Sequence, residues 1–172
     1  MPVTEITAAP VQSTTAYPLR QALLHPDRLL EFSIYPADEA ASTLHVGAFA
    51  AGALVGIASV YHESPPAAAD AGAWRLRDMG VAESMRRRGC GSLLLRACLE
   101  HVAAQGGSQF WCNARPTAVP FYLAHDFRLR EEAFVLPGFG PRYFMWRAVG
   151  VGRNPVGDAR GFSRARGTVE EA

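Results

Sequence analysis

One stretch constrains this chain more than any other: Arg86-Arg87-Arg88-Gly89-Cys90-Gly91-Ser92. The run before it, Trp74 to Val81, alternates at its start, so Trp74 and Leu76 face a core and Arg75 and Arg77 the opposite side. Gly80 near its end allows a bulge. The run after it, Leu93 to Ala103, carries Leu93, Leu94, Ala97, Cys98 and Val102 at helical spacing and ends near Gly106-Gly107. A basic, glycine-containing turn therefore joins a strand to the first turn of a helix. The free N–H groups of a helix start point out of its end, the dipole there is positive, and glycine lets a ligand approach the backbone. That combination is an anion cradle. Phe110-Trp111-Cys112-Asn113 follows as a short apolar strand, and strand–helix–strand predicts a parallel, right-handed crossover.

The remaining segments fill out one domain. Residues 1–15 read as an arm with a short edge strand at Val3–Thr7, residues 16–148 as the folded domain, and residues 149–172 as a flexible Gly/Arg/Pro-rich tail. Between Pro18 and Pro26, Leu19, Leu23 and Leu24 share one face of a short amphipathic helix. Residues 43–50 and 54–61, separated by Ala51-Gly52, predict a hairpin. A second helix is expected from Ala118 to Ala124, with Pro120 in its first turn. Ala133–Leu136 and Arg142–Trp146 complete the strands. The class is α+β with a mixed sheet and one parallel crossover.

Composition narrows the chemistry. A chain of 172 residues with 49% hydrophobic residues can bury a real core. The formal net charge of +1 argues against nucleic acid or an anionic membrane as partner, and no apolar stretch is long enough to span a bilayer. All 17 basic side chains counted as Lys or Arg are arginine, which excludes a Schiff-base lysine and a Walker loop. A dinucleotide fingerprint fails too, because position 94 is Leu94 rather than glycine. The 3 cysteines, Cys90, Cys98 and Cys112, make no metal-ligand spacing; no metal is expected. The N-terminus lacks the charge and apolar run of a signal peptide, so a reducing, cytoplasmic setting is expected.

Two motifs, correctly ordered, resemble those of the GNAT N-acetyltransferase superfamily. Met79-Gly80-Val81 followed by Arg86-x-x-Gly89-x-Gly91 is similar to its motif A, and Asn113 to Tyr122 with Phe127 is similar to its motif B. The likeness covers roughly residues 19–147. Leu19-Arg20-x-x-Leu23-Leu24-His25-Pro26, Cys112-Asn113-Ala114-Arg115 and Gly140-Pro141-Arg142-x-x-Met145 resemble the ElaA-like branch. Asp78 and Asp126 stand where the family commonly has glycine; Asp tolerates the left-handed backbone that a helix exit needs.

The resemblance implies a mixed, mostly antiparallel sheet whose central parallel strand pair is splayed to admit coenzyme A, flanked by helices. It implies acetyl-CoA as cosubstrate, with Met79, Gly80 and Val81 along the pantetheine. Arg86, Arg87, Arg88, Gly89, Cys90, Gly91 and Ser92 would lie at the pyrophosphate, and Asn113 at the pantetheine arm. Tyr122 takes the general-acid position. The acceptor is a primary amine, attacking directly in a ternary complex. His62, Glu63, Asp78, Glu131, Glu132 and water remain candidates for the base. His45 and His101 read as structural, and Cys90 as a small residue supplying an amide. Arg75, Arg77 and Arg115 either face an acidic acceptor or form salt bridges across the sheet. A non-catalytic acyl-CoA-binding or regulatory module is the alternative, and Tyr122 argues against it. Late strands such as Tyr143–Trp146 offer an edge for a homodimer.

Overall fold

The computed structural model of the chain describes residues 5–66 and 68–150, with Glu131 described by its backbone alone. The elements are β1 (Ile6–Pro10), α1 (Ser13–Leu24), β2 (Leu44–Ala50), β3 (Ala53–Tyr61), β4 (Ala73–Val81), α2 (Cys90–Ala104), β5 (Gln109–Ala114), α3 (Val119–Leu123), β6 (Arg128–Leu136) and β7 (Gly140–Ala148). The strands form one sheet in the order β1-β2-β3-β4-β5-β7-β6. Only β4 and β5 run parallel, and their pairing covers Ala73–Arg75 against Gln109–Trp111. Beyond Arg75 and Trp111 the two strands separate.

The two faces of the sheet bury different chemistry. Trp74, Leu76, Leu94, Leu95, Cys98, Val102 and Phe110 pack between the sheet and α2. Leu94 and Leu95 are fully enclosed, and truncating either to Ala is expected to cost about 2–5 kcal/mol. Leu93, placed in that stripe by spacing alone, is only half-buried, and Leu95 takes its share. On the other face α1 lies against β3 and β4 over a polar cluster. Buried Arg20 donates to Asp38 Oδ2 at 2.9 Å, to the Ser33 carbonyl at 2.7 Å and to Ser59 Oγ at 2.8 Å. His45 and Tyr61 close the same network, His45 in the structural role its strand position implied.

Three segments depart from the sequence expectation. The edge strand sits at Ile6–Pro10, pairing Ile6 with Ala50, so the expected arm is part of the sheet. Helix α1 begins at Ser13 and carries Pro18 inside it, where spacing predicted a start after Pro18. Tertiary contacts hold the extra turn: the Ser13 and Tyr17 hydroxyls both reach the Glu39 carboxylate. Strand β6 begins at Arg128, five residues before the expected Ala133, because Arg128-Leu129-Arg130-Glu131-Glu132 is charged like an exposed edge rather than alternating. Since β6 is that edge, β7 lies between β5 and β6, and Tyr143–Trp146 is not open for pairing between subunits. The expected tail lies outside the described residues beyond Gly150.

Candidate active site

The separation of β4 from β5 opens a cleft of about 890 Å³. A bulge redirects β4 at this point: Ile57 pairs with Gly80 but Ser59 with Arg77, so Asp78 and Met79 together face one residue of β3. Asp78 takes the strain with a φ of 55°, in the region that Asp tolerates better than most side chains. Past the bulge, Ala82 N–H donates to the Val55 carbonyl at 2.8 Å. By antiparallel alternation, the backbone groups of Val81 therefore point away from β3, toward the opening.

One end of the cleft is the start of α2. Gly89 caps the helix with a φ of 87° and offers no side-chain cap to its first amides. Leu93 N–H already bonds the Gly89 carbonyl at 3.0 Å, which leaves the amides of Cys90, Gly91 and Ser92 as the unused donors of the first turn. A Cβ on Gly91 would sit 3.3 Å from both Met79 and the Phe121 ring, so glycine keeps this wall thin. Arg86, Arg87, Gly89, Gly91 and Ser92 line the cleft. Arg88 is exposed and Cys90 is buried in the core; neither side chain lines it. Arg86 folds back, its Nε donating to the Val81 carbonyl at 3.3 Å.

The other end is built by β5 and α3. Asn113 and Tyr122 both line the cleft. Tyr122 is 7% exposed. Burial, reinforced by the Cys112 and Cys98 thiols beside it, raises its hydroxyl well above the ordinary value, so it stays protonated. Burial likewise pushes the Cys112 thiol up to about 12. His125, which spacing did not single out, ties the two ends together. Its Nδ1 lies 2.8 Å from the Phe121 carbonyl and its Nε2 3.0 Å from Ser92 Oγ. Asp126 leaves α3 with a φ of 65°, the left-handed exit expected for it.

The base candidates are sorted by place. His62 stacks on Trp74 and bonds the Ala71 carbonyl, and Glu63 pairs with Arg75 at 2.7 Å; neither lines the cleft. Glu132 is exposed on β6. Asp78 lines the cleft, with its Oδ2 3.4 Å from Arg20 Nε and its Oδ1 4.0 Å from His25 Nε2. His25, which sequence reasoning did not single out as a site residue, lines the cleft beside Asp78. Burial foremost, then the charges of Arg115, Arg28 and Arg20, lowers its pKa against the opposing pull of Asp78. Arg75 stacks on Trp111 at 4.8 Å and Arg77 on Tyr35 at 3.7 Å, so both are engaged within the protein, while Arg115 faces a second, adjoining cavity.

Comparison with known proteins agrees with this geometry. A family model described as an acetyltransferase (GNAT) domain matches residues 30–139. YitI of Bacillus subtilis (strain 168), named as an uncharacterized N-acetyltransferase, is 32% identical over 149 residues, covering 87% of this chain and 99% of its own. Escherichia coli ElaA superposes with a TM-score of 0.65 at 17% identity, over 84% of this chain and 99% of its own. An aminoglycoside 6′-N-acetyltransferase complexed with coenzyme A gives 0.63 at 13% identity, over 86% and 98%. An opened mixed sheet with a helix start at the gap thus belongs to an acyltransferase. The chain is a member of the GNAT acetyltransferase family. No helix among the described residues is long and apolar enough to cross a membrane.

Proposed function

We propose that the chain is an N-acetyltransferase that moves the acetyl group of acetyl-CoA to a primary amine by direct attack. The observation that carries this reading is the gap between β4 and β5, with free helix-start amides at one end and buried Tyr122 at the other. The pyrophosphate would lie on the amides of Cys90, Gly91 and Ser92, with Arg86 and Arg87 adding charge. The pantetheine would pair with Met79 and Val81 as an added strand, with Gly80 between them and the Asn113 amide across the gap.

The amine nitrogen attacks the thioester carbon, and a β4 backbone N–H near Met79 holds the oxyanion. The C–S bond then breaks, and the departing thiolate takes the Tyr122 proton. The proton of the attacking amine goes to His25. Among the described residues it is the imidazole that lines both cavities, and its lowered pKa keeps it neutral near pH 7. A reducing, cytoplasmic setting suits three buried, unpaired thiols. The test is thiol release from acetyl-CoA across a panel of primary amines. Tight CoA binding with no release for any amine would favour the non-catalytic module instead.

A further inference from the structure

Beside the cleft lies a second cavity of about 820 Å³. It shares Leu24, His25, Arg115, Thr117, Phe139 and Arg142 with the cleft but includes no residue of the Met79–Ser92 segment. It is therefore separate from the helix-start amides and adjoins the cleft near His25. Three guanidiniums from distant parts of the chain meet there: Arg28 after α1, Arg115 after β5 and Arg142 on β7.

What sets these arginines apart is their partners. Arg28 donates to the Gly138 carbonyl at 3.0 Å, Arg115 to the Leu24 carbonyl at 3.3 Å, and Arg142 to the Phe139 and Pro141 carbonyls at 2.7 and 2.8 Å. Carbonyls satisfy donors but cancel no charge. Among the described residues none of the three forms a salt bridge, whereas enclosed Arg20 and half-buried Arg75 are paired with Asp38 and Glu63. The one carboxylate in the lining, Asp27, is exposed to water. Arg142 is 8% exposed, and burial together with the charge of Arg115 lowers its pKa. A buried cation beside another cation, with no carboxylate paired to it among the described residues, is costly unless a ligand supplies the missing charge. The apolar lining is Leu29, Phe32 and Phe139, with the Arg28 guanidinium 5.4 Å from the Phe32 ring and 4.8 Å from the Phe139 ring.

We propose that this cavity selects the acceptor: a small primary amine that carries an anionic group, carboxylate or phosphate, on an apolar body. The anion would rest against Arg115 and Arg142, the apolar part against Phe32 and Phe139, and the amine toward His25. Arginine forks match both anions, and the volume suits a small molecule. This rests on the acetyl-transfer reading above.

The experiment compares 2-phenylethylamine, phenylalanine and the phosphonate analogue of phenylalanine under saturating acetyl-CoA. A charged hydrogen-bond pair predicts that an anionic member exceeds the neutral amine about tenfold or more in kcat/KM. That ratio should fall toward one in Arg115→Gln and Arg142→Gln, and the KM of the anionic amine should rise with salt. Which anion wins names the source. Because Arg142 also staples the Phe139–Pro141 turn, the exposed Arg115 is the cleaner variant. A neutral amine used as well as both anionic ones, or a preference unchanged in both variants, overturns the proposal. If no amine releases thiol, calorimetry of the three N-acetylated compounds with CoA present decides. Tighter binding of an anionic compound upholds the cavity's role and faults only the transfer reading; equal binding overturns the cavity's role.

Discussion

At the scale of single residues, the site depends on a few side chains and a few backbone angles. Tyr122→Phe removes one hydroxyl from an otherwise apolar surround, so folding and CoA affinity should hold while kcat falls about a hundredfold or more. Because Tyr122 is held protonated by its burial, the native enzyme should show no alkaline loss from this group up to about pH 10. Gly89 acts differently, through a φ of 87° that an L side chain adopts at a cost of about 1–2 kcal/mol. Gly89→Ala should therefore weaken CoA binding, measured by calorimetry, with kcat at saturation little changed. His25→Gln tests the proton acceptor. In the parent, activity should fall as pH drops through a pKa below 6.5, since only neutral imidazole accepts a proton. The variant should be slow throughout and lose that acid limb.

At the scale of elements, α1 is locked by the Arg20 network. Asp38 illustrates the balance of forces: burial alone would raise its carboxyl, but Arg20, the Tyr61 hydroxyl and the Tyr35 amide outweigh it and the net shift is downward. A carboxyl depressed on folding contributes stability that is fully present above its ordinary value of 3.8 and is lost as pH falls through the folded value. Arg20→Leu leaves Asp38 buried without its cation and should cost about 3–5 kcal/mol in denaturant unfolding at pH 7. In Asp38→Asn the acid-induced loss below pH 4 should be shallower. Local signals made much of this fold legible. Alternation at Trp74–Leu76 gave the buried strand and Gly89 and Gly91 gave the turn, while the family resemblance of Asn113 to Tyr122 pointed to the second half of the cleft. The misreadings share one cause. Pro18 inside α1, the charged start of β6 and the edge strand at Ile6–Pro10 are all decided by partners far along the chain. The arginine cavity was only partly legible for the same reason. Arg28, Arg115 and Arg142 come from three separated segments, and no spacing rule joins them.

At the scale of the whole molecule, the sheet is two half-sheets, β1 to β4 and β5 to β7, joined by a short seam. Three residue pairs, Ala73–Gln109, Trp74–Phe110 and Arg75–Trp111, hold it on the ladder. Side chains brace its last rung: Trp111 Nε1 donates to the Glu63 carbonyl at 2.8 Å while Arg75 covers the indole. Such a seam makes the halves separable units of cooperativity, so slow amide exchange should be concentrated in β2, β3 and β7 and should drop off along Asp78–Val81. A thioester substrate that bridges the gap would complete the ladder and make the halves exchange as one. With CoA at about a hundred times its dissociation constant, mass action alone adds about 2.7 kcal/mol to global stability. Exchange mass spectrometry should find the added protection on both sides of the gap, along Asp78–Val81 and along Cys112–Ala114. Protection confined to the α2 start would mean that the ligand anchors by its phosphates and leaves the halves independent.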